Sequence, residues 1–171
     1  MKRLILAMFV LAVGVFIFSA AFAEMKTTTF QVSANVIPSC TVSTVRVNFG
    51  DSISGTANVL ATGNVIVNCP SDTTYEIGLN EGLNYASNAR HVSDGGGNSI
   101  SYGLFKGSGQ FSEEWGNSCT TNSFPNGSCY SGNIANGSDQ SYTVHGRLYL
   151  SSHPGSPAGT YSDTVTVEVQ Y

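Results

Sequence analysis

Apolar and polar side chains alternate along most of this chain with a period of two residues, which is typical of β-strands that bury one face. The alternating apolar positions form seven groups: Phe30, Val32, Ala34 and Val36; Val45, Val47 and Phe49; Val65, Val67 and Cys69; Tyr75, Ile77 and Leu79; Ile100, Tyr102 and Leu104; Tyr142, Val144, Gly146, Leu148 and Leu150; and Tyr161, Val165, Val167, Val169 and Tyr171. Gly, Asn and Pro residues between the groups favour turns. The pattern predicts an all-β sandwich.

The first 23 residues have the pattern of a cleaved signal peptide. Lys2 and Arg3 give a basic start, residues 4–18 are apolar or glycine, and Ala21-Phe22-Ala23 provides a cleavage site. A membrane anchor is the alternative. However, the apolar run is shorter than a span of about 20 residues, and no basic stop-transfer cluster follows it. We therefore expect export through the periplasm and no membrane span after cleavage.

Cleavage after Ala23 leaves 148 of the 171 residues, enough for one domain with a hydrophobic core. Five basic and eleven acidic residues remain, which gives a net charge of −6. No cluster of Lys or Arg is left, and this argues against nucleic acid or an anionic lipid surface as a partner. Because only 11% of the residues are charged, we expect a neutral, polar surface that suits packing among copies of the same protein.

All four cysteines lie after the cleavage site: Cys40, Cys69, Cys119 and Cys129. An even number in an exported chain indicates disulfides, and the absence of a C-x2-C pair argues against a zinc site. Of the three possible pairings, we favour Cys40–Cys69 with Cys119–Cys129, because each pair is close in sequence. The longer loop would stabilise the fold by about 3.5 kcal/mol and the shorter by about 2.5–3 kcal/mol.

The two ends of the strand pattern are unusual for a complete sandwich. The chain stops at Tyr171 inside the last alternating group, and residues 27–36 form a strongly alternating group before the first cysteine. A strand at each terminus, one of them surplus to its own domain, is what strand exchange between subunits requires.

Short motifs between Phe30 and Tyr171 resemble, in order and spacing, the spore coat protein U domain family, which includes subunits of archaic chaperone–usher (Csu-type) pili. The motifs are Cys40-Thr41-Val42, Val47-Asn48-Phe49-Gly50, Val65-Ile66-Val67-Asn68-Cys69, Tyr75-Glu76-Ile77-Gly78-Leu79 with Gly82 and Arg90, Ile100-Ser101-Tyr102-Gly103-Leu104-Phe105, Trp115-Gly116, Tyr142-Thr143-Val144-His145-Gly146-Arg147, and Ala158-Gly159-Thr160-Tyr161-Ser162-Asp163-Thr164-Val165-Thr166-Val167. The ending Gly-x-Tyr-x-Asp-x-Val is the most specific of them. Cys119 and Cys129 are not part of the family pattern.

The resemblance implies an immunoglobulin-like β-sandwich, incomplete because it lacks its last strand. It also implies a division into a signal peptide (1–23), an N-terminal extension or donor strand (24–38) and a domain (39–171). A periplasmic chaperone would fill the gap first. At an outer-membrane usher, the N-terminal strand of another copy or a related pilin would then replace it. The donor side chains would be Phe30, Val32, Ala34 and Val36.

The sequence predicts no catalytic, metal-binding or cofactor-binding residues. His91, His145 and His153 have no ligand spacing, residues 94–98 lack the oxygen ligands of a calcium loop, and no serine lies in Gly-x-Ser-x-Gly. The family-like Arg90 and Arg147 are expected to pair structurally with carboxylates such as those of Asp163 or Glu76.

Three classes of function follow, in order of preference. The first is a structural subunit of a surface fibre that serves adhesion or biofilm formation, and the second is a coat protein of a spore or resting cell. The third is an adhesin module that binds a sugar or a surface, although 148 residues leave no room for an additional binding domain. An enzyme is the least expected.

Overall fold

The computed structural model of the chain describes residues 24–50, 53, 55–119 and 127–171. The predicted signal peptide, residues 1–23, lies outside the described residues. Two compact units are distinguished, Met1–Asn35 and Val36–Tyr171. In the part of the chain that is described, no helix is both long and apolar enough to cross a membrane.

The described part of the first unit, residues 24–35, contains no helix or strand. Its apolar side chains are exposed, with Phe30 at 85% and Val32 at 82% of their full accessibility. The alternating pattern therefore marks a segment that forms no strand within its own chain. A segment without a ladder partner leaves its backbone N–H and C=O groups to water.

Within its described residues the second unit forms eight antiparallel strands, and a short 3-10 turn follows the seventh at Leu150–Ser152. The strands are β1 Thr41–Val45, β2 Val59–Asn68, β3 Thr74–Leu79, β4 Arg90–Ser93, β5 Ser99–Phe105, β6 Tyr130–Ile134, β7 Gln140–Leu148 and β8 Val167–Gln170. A five-stranded sheet has the order β1-β2-β7-β5-β4, and a three-stranded sheet has the order β6-β3-β8.

The inner faces of the two sheets share one hydrophobic core, and this confirms the predicted all-β sandwich. Val67 of β2 and Ile77 of β3 are fully buried, and Trp115, within the connection between β5 and β6, is equally inaccessible. The Trp115 indole N–H donates a 3.0 Å hydrogen bond to the Ile77 carbonyl, which satisfies its one polar atom.

The predicted strand around Val45, Val47 and Phe49 is displaced in the structure. β1 lies earlier and ends at Val45, after which residues 46–49 cross the inner face of the five-stranded sheet. A Cβ atom on Gly63 would lie 2.9 Å from Val47, and one on Gly146 would lie 2.6 Å from the same side chain. These two glycines therefore leave room for the crossing segment.

Two strands, β4 and β6, have no counterpart among the seven predicted groups. β4 begins with the fully buried Arg90, whose guanidinium donates to the carbonyl oxygens of Leu79, Asn80 and Trp115 at 2.7–3.0 Å. Its ionic partner is Glu114, at 3.4 Å, rather than the predicted Asp163 or Glu76. The structural role predicted for Arg90 is thus correct, but the carboxylate is a different one.

Candidate strand-binding groove between the sheets

A groove of about 1130 Å³ opens between the two sheets of the second unit. Val65, Val144 and Leu148 line it from the inner face of the five-stranded sheet, and Leu79 and Val167 line it from the three-stranded sheet. This groove is therefore an opening onto the hydrophobic core itself.

Residues outside the strands also line the groove, most of them in two segments, residues 46–50 and residues 155–165. Val47, Phe49 and Val165 pack against the core from these segments but are only half-buried. Apolar surface left in water costs about 25 cal/mol per Å² relative to burial. These half-buried side chains consequently favour an occupant that presents apolar side chains to them, while the rest of the lining includes polar groups.

Strand β8 has an open edge beside the groove. Thr166, just before β8, accepts a 3.1 Å hydrogen bond from the Asn80 N–H and so directs its carbonyl toward the β3 side. Backbone groups alternate in direction along a strand. Val165, Val167 and Val169 therefore direct their N–H and C=O groups away from β3, and no described strand pairs with β8 there. Their side chains pack against the core, so the edge offers backbone hydrogen bonds beside an apolar surface.

Asp163 fixes the chain where it enters this edge. One carboxylate oxygen accepts hydrogen bonds from the backbone N–H groups of Leu83 and Asn84 at 3.1 Å, and the other accepts the Tyr102 hydroxyl at 2.6 Å. Burial raises the pKa of Tyr102, and the bond to Asp163 raises it further, so this hydroxyl remains a donor. Gly82 has a φ of +81° and no space for a Cβ beside the carboxylate. The motif that contains Gly82 and the motif that contains Asp163 are thus in contact in the fold.

Replacing Asp163 by Asn should lower the free energy of unfolding by about 2–3 kcal/mol, because four N–H or O–H donors, two of them from Asn84, lose a carboxylate acceptor. Urea unfolding of the mature chain measures this change. Asp72→Asn is the matched control, since Asp72 is exposed and has a φ of +64° that Asn tolerates. An equal loss in the two variants would contradict the role given to Asp163.

The predicted donor side chains, Phe30, Val32, Ala34 and Val36, lie in a segment without secondary structure, and all four are exposed. Their role as donors stays a prediction. The residues that line the groove were not identified from the sequence. The sequence indicates which side chains of each strand face inward, but it does not show whether they line the closed core or an open groove.

Cys40 and Cys69 form a disulfide with a Cα–Cα distance of 4.3 Å, linking the residue before β1 to the residue after β2. Cys119 and Cys129 are also paired, with Cα atoms 5.6 Å apart. Both pairings are those favoured from the sequence.

Removing the Cys40–Cys69 pair by a double Ser substitution should cost about 3.5 kcal/mol, against about 2.5–3 kcal/mol for the Cys119–Cys129 pair, because the first closes the longer loop. Thermal or urea unfolding of the two double variants gives this order, and non-reducing peptide mapping checks the connectivity. A Cys40–Cys119 or Cys40–Cys129 peptide, or a larger loss from the shorter loop, would disprove the prediction.

Among the described residues, one group of three side chains of the kinds that bind metals lies close together. Ligand atoms of Glu76, Cys119 and Cys129 lie within 4.8 Å of one another, but both sulfur atoms belong to the disulfide and are not thiolates. His153 uses Nε2 to accept the Ser101 backbone N–H at 3.1 Å. These groups are therefore accounted for by structural contacts.

The loop at residues 94–98 is the turn of the β4–β5 hairpin. One oxygen of the Asp94 carboxylate accepts the Gly96 and Asn98 N–H groups, and the other accepts the Asn98 side-chain amide. These hydrogen bonds, that of the Asn98 side chain most of all, lower the pKa of Asp94. The carboxylate oxygens are therefore used within the turn.

The model of the Spore Coat Protein U domain matches residues 26–168. No curated protein matches the chain. A similar solved structure is the complex of the CsuC chaperone and the CsuE tip adhesion subunit from archaic chaperone–usher Csu pili of Acinetobacter baumannii. The match has 27% sequence identity and a TM-score of 0.58 and covers 80% of this chain and 40% of that chain. This chain thus spans less than half the length of the one it matches. The family model accounts for nearly all of the described residues, and the chain belongs to the Spore Coat Protein U domain family.

Proposed function

We propose that this protein is a non-catalytic structural subunit of a bacterial surface fibre, assembled by exchange of β-strands between subunits. The observation that carries the proposal is the groove lined by apolar side chains of both sheets beside the open β8 edge. Such a site needs an extended strand with apolar side chains on one face, and it supplies the main-chain partners for that strand. The likeness to a chain of a chaperone–pilus subunit complex supports the same kind of assembly.

The occupant that fits is residues 24–38 of another copy or of a related pilin. Phe30, Val32, Ala34 and Val36 recur at every second position, so all four point to one side of an extended strand. The larger three each contribute about 1.5–3 kcal/mol on burial, and Ala34 contributes less. A periplasmic chaperone fills the groove until, at an outer-membrane usher, the incoming strand replaces it. The resulting fibre stands on the cell surface and serves adhesion and biofilm formation.

A photo-crosslinking amino acid placed at position 32 tests this assembly. In surface fibres, it should give adducts between subunits that map to peptides containing Val47, Phe49 or Val165, the half-buried apolar side chains of the groove. The same group at position 31 should not reach these peptides, because its side chain points to the other face. Crosslinks confined to one chain, or equal yields from the two positions, would refute strand exchange.

A further inference from the structure

The outer face of the five-stranded sheet carries a second surface, away from the groove. Leu60 of β2, Arg147 of β7 and Gly103 of β5 lie in one row across three neighbouring strands. Phe105 and Tyr149, each two residues further along the chain from a member of this row, lie beside it. We call Leu60, Phe105, Arg147 and Tyr149 the outer patch, and none of its members lines the groove.

Gly103 allows the two rings of the outer patch to lie close to the sheet. A Cβ atom at this position would lie 2.6 Å from the Phe105 ring and 3.0 Å from the Tyr149 hydroxyl. Any larger residue would push the rings apart. Leu60 adds an apolar side chain that is 66% exposed.

The guanidinium of Arg147 is held in place above these rings. Its Cζ atom lies 5.2 Å from the centre of the Phe105 ring, and Nη2 donates to the Gly109 carbonyl at 3.4 Å. Burial raises the pKa of Tyr149 and the charge of Glu114 adds to that rise, while the charge of Arg147 and its hydrogen bond oppose it. The basic residues in the ion pairs of the described residues are Lys26, Arg90 and Lys106. Arg147 is therefore a fixed cation that forms no ion pair with a described carboxylate.

A guanidinium fixed in this way is suited to an anion. Its remaining N–H groups present a planar fork that matches the two oxygens of a carboxylate. The neighbouring rings and Leu60 suit an apolar face, and the Tyr149 hydroxyl suits a polar edge. A pyranose ring that carries a carboxylate has all three features. A stable protein partner would need about 800 Å² of contact on each side, far more than four side chains provide.

We propose that the outer patch binds acidic polysaccharide through a uronate unit, with the sugar carboxylate on Arg147 and the sugar ring against Tyr149 and Leu60. This activity goes beyond the proposed assembly role. It does not depend on that role, because the groove and the outer patch share no side chain.

Calorimetric titration of the mature full chain with an oligogalacturonate of defined length tests the proposal. Arg147→Gln should weaken binding about tenfold or more. Arg147→Lys keeps the charge but loses the planar guanidinium, so its affinity should lie between that of the unaltered protein and that of Arg147→Gln. Tyr149→Phe removes only the hydroxyl and should weaken binding less than Arg147→Gln. The carboxyl-reduced oligosaccharide, which keeps the sugar chain and loses the anion, should not bind.

Binding of the carboxyl-reduced sugar as tight as that of the uronate, or unchanged uronate affinity in Arg147→Gln, would overturn the proposal. So would the absence of uronate binding in a chain whose self-association falls in Arg147→Gln, because the patch would then be a protein contact. Thermal melting of each variant shows whether it is folded. Fibre formation is scored separately, so a failure of strand exchange and a failure of sugar binding give different results.

Discussion

A mature chain cut before Ser39 is expected to aggregate and to melt at low temperature, whereas the same domain with residues 27–36 joined behind Tyr171 by a short flexible linker should be a heat-resistant monomer. The truncated domain leaves the groove open, with apolar side chains at its wall, and leaves β8 with an unpaired edge. The tethered strand is present at an effective concentration in the millimolar range. Its buried side chains together contribute about 5–8 kcal/mol.

For a domain of this size, such a gain corresponds to a rise in Tm of about 15–25 °C. Calorimetry and light scattering of the two proteins measure the rise in Tm and the loss of aggregation. A truncated domain as stable as the tethered one would mean that the sandwich is complete without a donor strand.

Replacing Val32 by Asp within the tethered strand should abolish most of that rescue. The substitution forces a carboxylate against the apolar side chains of the groove without a partner, which costs several kcal/mol, in addition to the lost burial of Val32. Replacing Gln31 by Asp adds the same charge one residue earlier, on the opposite face of the strand, and should change the Tm by only a few degrees.

Melting curves of the two tethered variants make the comparison at equal net charge. Equal losses from the two substitutions would show that the strand does not bind with one face in the groove. A difference in Tm between the two variants therefore reports which face of the strand carries the charge.

The alternation in the sequence predicts the strands whose inward side chains are apolar, such as β2, β3 and β7. It does not predict β4, because the first inward position of that strand is Arg90. A buried arginine is stable only where three backbone carbonyls and Glu114 converge, and those partners come from distant parts of the chain. β6 escapes detection because Gly132, with a φ of +68°, breaks its pattern.

The candidate site is predictable in kind but not in position. Val45, Val47 and Phe49 alternate like a strand, yet residues 46–49 cross over Gly63 and Gly146 and line the groove instead. Alternation reports only that a side chain meets other apolar groups. Whether those groups belong to a neighbouring sheet or to an open groove depends on contacts that are distant in sequence.

The Cys40–Cys69 disulfide also determines how a pulling force enters the domain. Tension on the N-terminal extension reaches the fold at Cys40, and the bond carries it directly to Cys69 at the end of β2. The edge strand β1, which would otherwise be peeled from β2 one residue pair at a time, therefore bears no load. The chain between the two cysteines, whose sequence separation is 29, also cannot extend while the bond is intact. In the proposed fibre, a chain of such domains under flow would lengthen in shorter steps, because β1 and β2 both lie inside the closed loop and outside the loaded path.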